Sequence, residues 1–140
     1  MIENDITTHL KNDATLMNLL GGNITNKYKL FLMRADSDIT PPFIVYEINT
    51  DSADIIETDN FQFNVFATTN TICRKIANRL KKLLSISEEF NSGGSTSISS
   101  SEYYIYSGLH TGSDNYINDT ETKIYILPVN FKFVYKRKIV

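Results

Sequence analysis

The sequence is short of the residues from which compact chemistry is usually built. It has one cysteine, Cys73, no tryptophan, and only two histidines, His9 and His110. A single thiol excludes an internal disulfide framework and a cysteine-built zinc site. None of HExxH, CxxC, a nucleophile elbow or a GxxxxGK[ST] loop occurs, and Gly21–Gly22 and Gly93–Gly94 do not have a phosphate-binding spacing. Each is read as a turn. No uninterrupted apolar stretch approaches the roughly 20 residues of a membrane-spanning helix. Glu3 and Asp5 stand near the start, where a signal peptide would have a basic segment before an apolar run. Neither sign of charge dominates: 14 Lys and Arg against 16 Asp and Glu leave a net charge of −2. That balance argues against a protein whose main task is gripping nucleic-acid backbone.

Within 140 residues, 41% hydrophobic and 21% charged, the composition is that of a single globular domain with one core. The clearest organisation lies between Asn60 and Leu84. Phe61, Phe63 and Val65 alternate with Gln62 and Asn64, the period of a strand with one buried face, and Phe66 is an apolar exception. After a polar turn at Thr68–Thr71 the period becomes helical. Ile72, Cys73, Ile76, Ala77, Leu80, Leu83 and Leu84 share one arc, while Arg74, Lys75, Asn78, Arg79, Lys81 and Lys82 fill the other. Such a helix must lie on something apolar, and the preceding strand is the nearest candidate. Cys73, on the apolar arc, reads as a small core residue.

Toward the N-terminus, Ile2, Ile6 and Leu10 recur every four residues and predict a first helix. Continued without a break, it would turn the Asp13 carboxylate into the apolar face, an expensive burial. A break at Asn12–Asp13 is cheaper, with Asp13 capping a second short helix over Ala14–Leu20 and Gly21–Gly22 ending it. Leu30–Met33 reads as an edge strand or a core-anchored loop. Pro41–Pro42 leads into Phe43–Ile48, β-branched and aromatic, a strong strand.

Thr50–Asp59 is polar and acidic around Ile55–Ile56, and forms either a hairpin connection or a projecting loop. Ser85–Ser101 is Ser/Gly-rich, with a flexible loop expected at about 91–101. Tyr103–Leu109 reads as a strand, Gly112–Tyr116 and Asn118–Thr122 as turns. In the last strand Leu127, Val129, Phe131, Phe133 and Tyr135 alternate with Asn130, Lys132, Val134 and Lys136; Pro128 implies a bulge or an edge there. The order predicts an α+β fold: a single mostly antiparallel sheet with two main helices packed on one face.

Two charged groups stand out. Asp51, Asp54, Glu57 and Asp59 form an acidic cluster whose spacing does not fit an EF-hand loop. The basic arc Arg74, Lys75, Arg79 and Lys82 is either the wet face of a helix or a surface that meets an acidic partner. No cofactor-binding, metal or catalytic set is read from the residues.

Four blocks, in order, resemble the tail-completion or tail-terminator (head–tail joining) proteins of long-tailed bacteriophages. They are Ile6–Leu10 with Asp13, Ala14, Leu16, Leu19, Leu20, Gly21 and Ile24; Pro42–Tyr46; Phe61–Ala67 leading into the helix through Leu84; and the Asp119–Glu121 turn entering Ile124–Tyr135. Lys27–Arg34 departs from the family's compact aromatic-proline turn, and the Ser/Gly-rich stretch is longer than the family's. The resemblance implies a virion structural protein without catalysis, assembled in the bacterial host cytoplasm and placed in the tail or neck. Such proteins form a ring, typically a hexamer, at the head-proximal end of the tail tube. They stop tube polymerisation and dock the neck of the filled capsid. The implied partners are copies of itself, the tail-tube protein and head-completion or neck proteins; DNA passes through the lumen without specific binding, and no membrane is involved. On this reading Asp51, Asp54, Glu57 and Asp59 face the lumen or a neighbouring ring, and Arg74, Lys75, Arg79 and Lys82 lie at a subunit contact. The alternatives are another neck component (a head-completion stopper or a contractile-sheath terminator) or a small cytosolic ligand-binding or hydrolytic α+β protein.

Overall fold

A computed structural model describes residues 2–53, 55–86, 97–113, 117–119 and 121–138, leaving aside the side chains of 51–53 and 119. Three helices, α1 (Glu3–Lys11), α2 (Ala14–Leu20) and α3 (Asn70–Leu84), cover one face of a six-stranded sheet. The strands are β1 (Leu30–Leu32), β2 (Phe43–Ala53), β3 (Ile56–Ala67), β4 (Tyr103–Ser113), β5 (Ile117–Asp119) and β6 (Ile124–Arg137). Their spatial order is β1-β2-β3-β6-β4, with β5 also paired to β6. Every pairing is antiparallel except β1 with β2. This is the α+β architecture expected from the sequence.

The break between the first two helices falls where the sequence required it. Asp13 adopts an extended conformation and accepts the Leu16 amide at 2.8 Å, and Gly21 closes α2 at φ 68°, where a left-handed residue costs glycine little. Asp13 does a second task. Its two oxygens take the Arg79 Nε and Nη2 at 2.8 and 2.6 Å, tying α2 to α3 through a fork-to-fork pair. Thr69 caps α3 by accepting the Ile72 amide, and the whole apolar arc except half-buried Ile72 is buried.

The core lies between the helices and the middle of the sheet. Phe61 and Phe63 of β3 face Phe131 and Phe133 of β6, with Phe61–Phe133 and Phe63–Phe131 in edge contact at 5.3 and 5.8 Å between centroids. All four are at most 1% exposed. Burial of each is worth about 1.5–3 kcal/mol, so this aromatic block dominates the stability of the sheet. Helix α3 packs on β3 as expected, and equally on β6. Cys73 is buried, its thiol pointing at the Val65 and Tyr125 carbonyl oxygens, and burial pushes its pKa up to about 11. It is an inert core residue.

Elsewhere the strands outrun the sequence reading. The acidic stretch is a hairpin: β2 and β3 stay in register out to Ala53 opposite Glu57, with a bulge between Thr50 and Ser52. Gly112 and Ser113 belong to β4 and Asn118 to β5, where turns were expected; the long β6 offers ladder partners that override local turn preference. Residues 114–116 and 120 of the two expected turns lie outside the described residues, and Glu121–Lys123 is a turn. Pro128 sits where neither β4 nor β5 has a residue in register with β6, an interior strand's local edge. Phe66, the apolar exception, stacks on Phe43 at 4.6 Å. Together with Phe31 and Val45 they form a second, small cluster on the sheet face away from the helices.

The Ser/Gly-rich stretch divides. Residues 87–96, and with them 91–96 of the expected flexible loop, lie outside the described residues. Ile86 exchanges both backbone hydrogen bonds with Gly108 of β4 at 2.9 Å. Ser97–Ser101 is fastened to the body: Ile98 is 6% exposed, and Ser100 Oγ donates to Asp5 at 2.9 Å. One isoleucine and one hydroxyl anchor a segment whose composition is otherwise that of a linker.

Two substitutions probe this frame. Asp13→Ala removes the cap and the partner of Arg79, and unfolding in urea should show a loss of about 1–2 kcal/mol near neutral pH. The hydrogen bond from Arg79 holds the Asp13 carboxyl below its ordinary value of 3.8. The pair therefore contributes above 3.8 and is lost as pH falls through the lowered folded value, so wild type and Asp13→Ala should converge at strongly acidic pH. In Gly108→Ala the new methyl would press on the Leu84 carbonyl oxygen and on the Phe133 ring at 2.8 Å. A drop of about 1–3 kcal/mol in denaturation is expected there.

Candidate functional site

The acidic and basic groups singled out in the sequence reach different places. Asp54 and the Asp51 side chain lie outside the described residues. Glu57 is half-buried near the tip of the β2–β3 hairpin. Asp59 is 0% exposed, so it cannot face a lumen or a neighbour in this chain as folded. Its two oxygens accept the Thr50 hydroxyl at 2.8 Å and the Tyr135 hydroxyl at 2.7 Å. The reason is alternation: Asp59 stands two residues before Phe61 and shares its face. The period read forward from Phe61, if followed back to Asp59, is the signal that locates it. Burial, then the hydrogen bond to Asp59, raises the Tyr135 pKa far above its ordinary value, which keeps the phenol a donor.

On α3, Arg74, Lys75 and Lys82 are exposed. Arg79 is committed to Asp13, a partner the sequence reading placed only as a cap. Among the described residues neither Lys75 nor Lys82 has an ion-pair partner. Lys75, Arg79 and Lys82 come together with Asn78 of α3 and Thr15 and Leu19 of α2 around an open groove of ≈340 Å³. Arg74 is not part of it.

The histidines have structural partners. His9 Nε2 donates to the Leu83 carbonyl oxygen at 3.0 Å, satisfying the last turn of α3. His110 Nε2 lies 3.0 Å from Ser113 Oγ across a bulge of β4, and burial, with Lys81 nearby, lowers its pKa. The pair is short-range and exposed, and no described carboxylate is bonded to that imidazole, the third group a nucleophilic triad uses. No three His, Cys, Asp or Glu side chains among the described residues are grouped for a metal ion. No helix of the described residues is long and apolar enough to cross a membrane.

A second concavity, ≈280 Å³, lies on the sheet and is lined by Glu47, Asn49, Asn60, Gln62, Thr111 and Asn130 among others. Four of its nine lining residues are amides, Asn49, Asn60, Gln62 and Asn130, hydrogen-bonding groups that stand beside the Glu47 carboxylate and the Thr111 hydroxyl.

The fold thus defines a class: an α+β domain with one six-stranded, mostly antiparallel sheet and the three α-helices α1, α2 and α3 on one face. No protein-family model matches the sequence, and no curated protein matches it either. Among solved structures, this chain is similar to one from the virion of a native gene transfer agent (GTA) particle. The TM-score is 0.67 at 9% identity, over 94% of this chain and 91% of that one. At that identity the likeness is one of fold, and it runs nearly end to end in both chains.

The buried carboxylate supplies a test of the hairpin. Tyr135→Phe deletes the donor to Asp59 Oδ2 and leaves a buried carboxylate short of a partner. Guanidinium denaturation should register a loss of about 1–3 kcal/mol. Thr50→Val, at the exposed strand position, should cost less.

Proposed function

We propose that this chain is a virion structural protein of a phage or phage-like particle, and more narrowly a tail terminator. In that role copies close into a ring, six in number, at the head-proximal end of the tail tube. The ring ends tube growth and receives the neck of the capsid. The observation that carries this reading is the near full-length match in fold to a chain of a gene transfer agent virion. It agrees with the family resemblance of the four sequence blocks, which arises from different information.

The chemistry of the surface supports it. The histidines and the buried carboxylate are engaged in structural hydrogen bonds, so the reading assigns no catalytic step to them. One concavity is lined in part by amides and the other by Lys75, Arg79 and Lys82, groups that recognise surfaces. A ring requires two different patches on each copy and a rotation that closes. The hairpin with Glu57 and the α2–α3 groove with Lys75 and Lys82 are two patches of opposite sign. Where the sequence reading set the acidic hairpin toward the lumen or a neighbouring ring, the proposal sets it against the neighbouring subunit, which has a complementary surface to meet.

Cryo-EM of particles containing this chain tests the proposal. Density for it is expected as a six-fold collar between capsid and tail tube. Density within the capsid shell, along the tube or at the distal tip overturns the terminator role. A collar one layer nearer the capsid would make the chain a head-completion component instead.

A further inference from the structure

We propose that the tip of the β2–β3 hairpin of one copy, led by Ile55 and Ile56, seats in the α2–α3 groove of the next copy between Lys75 and Lys82. The inference rests on the ring reading in that it needs copies to meet head to tail, and it names the two surfaces that do so.

The hairpin tip is unusual in its residues. Tight hairpin ends favour Asn, Asp and Gly, whose backbones tolerate the turn and whose side chains suit water. Here two adjacent isoleucines stand at the end of a long hairpin, 76% and 53% exposed. Single exposed apolar residues are common, but a pair at a projecting tip is a contact surface in search of cover. Glu57 stands beside the pair, and the same stretch contains Asp51 and Asp54 in sequence. The two isoleucines therefore have one described carboxylate, Glu57, next to them in the chain.

The groove has the inverse character. Leu19 lines it together with Lys75, Arg79 and Lys82, long side chains whose stems are apolar and whose ends are cationic, and apolar surface predominates in the lining. Arg79 is neutralised by Asp13, which leaves Lys75 and Lys82 as the cations without an ion-pair partner among the described residues. A carboxylate beside two isoleucines fits two lysines beside a leucine. None of the described residues of the tip lines the groove of its own chain, and a second copy supplies the complement. Because the two patches differ, the contact is heterologous and propagates head to tail, closing into a ring when the rotation allows.

Paired cysteines test the contact in the purified full chain. Ile55→Cys and Asn78→Cys are both exposed sites, and the native thiol of Cys73 is buried. The double variant, mildly oxidised at high concentration, should give a ladder of disulfide-linked multimers on a non-reducing denaturing gel, and neither single variant should. Adding Lys75→Glu and Lys82→Glu to the double variant should abolish the ladder, while circular dichroism stays that of the folded chain. Multimers detected by mass without the ladder overturn the hairpin–groove contact and leave the ring intact. Dimers from Ile55→Cys alone would mean tip-to-tip pairing and overturn it as well. A chain that stays monomeric with no cross-link at any concentration also removes the contact, whereas the ring reading stands or falls on its position in the particle.

Discussion

The unbroken pairing of β3 with β6 is the constraint on which the remaining structure depends. Ile56 to Ala67 run opposite Lys136 to Tyr125 without a register shift, although Pro128 lies within the run. That continuity stacks Phe61, Phe63, Phe131 and Phe133 into one block on the helical side. A slip of one residue would turn all four to the other face and bring the amides of Gln62, Asn64 and Asn130 under the helices. The penalty for that is large enough that the other strands can afford irregularity: β2 carries one bulge and β4 two register shifts.

Around this block the helices are joined by specific polar contacts and not by apolar burial alone. Asp13 and Arg79 lock α2 to α3, Tyr46 donates to Glu3 at 2.8 Å and so ties β2 to α1, and His9 closes the end of α3. Each links elements distant in sequence, and each is partly screened from water, where a hydrogen bond to a charged group is worth more than on the surface. The groove that we assign to subunit contact lies directly over one of these locks. Arg79 is both a structural clamp and part of the groove wall, which holds the distance between α2 and α3 steady.

The two faces of the sheet differ in a way that bears on function. The helical face is a conventional core. Among the described residues the opposite face carries the small Phe31, Phe43, Val45 and Phe66 cluster and the concavity lined by Glu47, Asn49, Asn60, Gln62 and Asn130. A body of this kind satisfies its own core and still has exposed apolar points at Ile24, Met33, Ile55 and Leu109. Such points, set at tips and edges and not gathered into a pocket, suit a protein that completes its surface by meeting others.

By itself the sequence determined the elements that rest on local periodicity and local capping. The break at Asn12–Asp13, the glycine stop after α2, the arc of α3 and the alternation of β6 are all written in spacings of a few residues, because helix and strand geometry repeat on that scale. The predominance of antiparallel strands followed from the order of the elements. Tertiary structure alone decided which residues a long-range pairing brings together. Asp59 became a core group because β3 continues its register past Asn60; Arg79 left the wet arc because Asp13 stands across from it. Ile86 met Gly108, and Ile98 found the core, through contacts that no short spacing encodes. Those pairings depend on how the sheet closes over β3 and β6, a property of the assembled core and of no single segment.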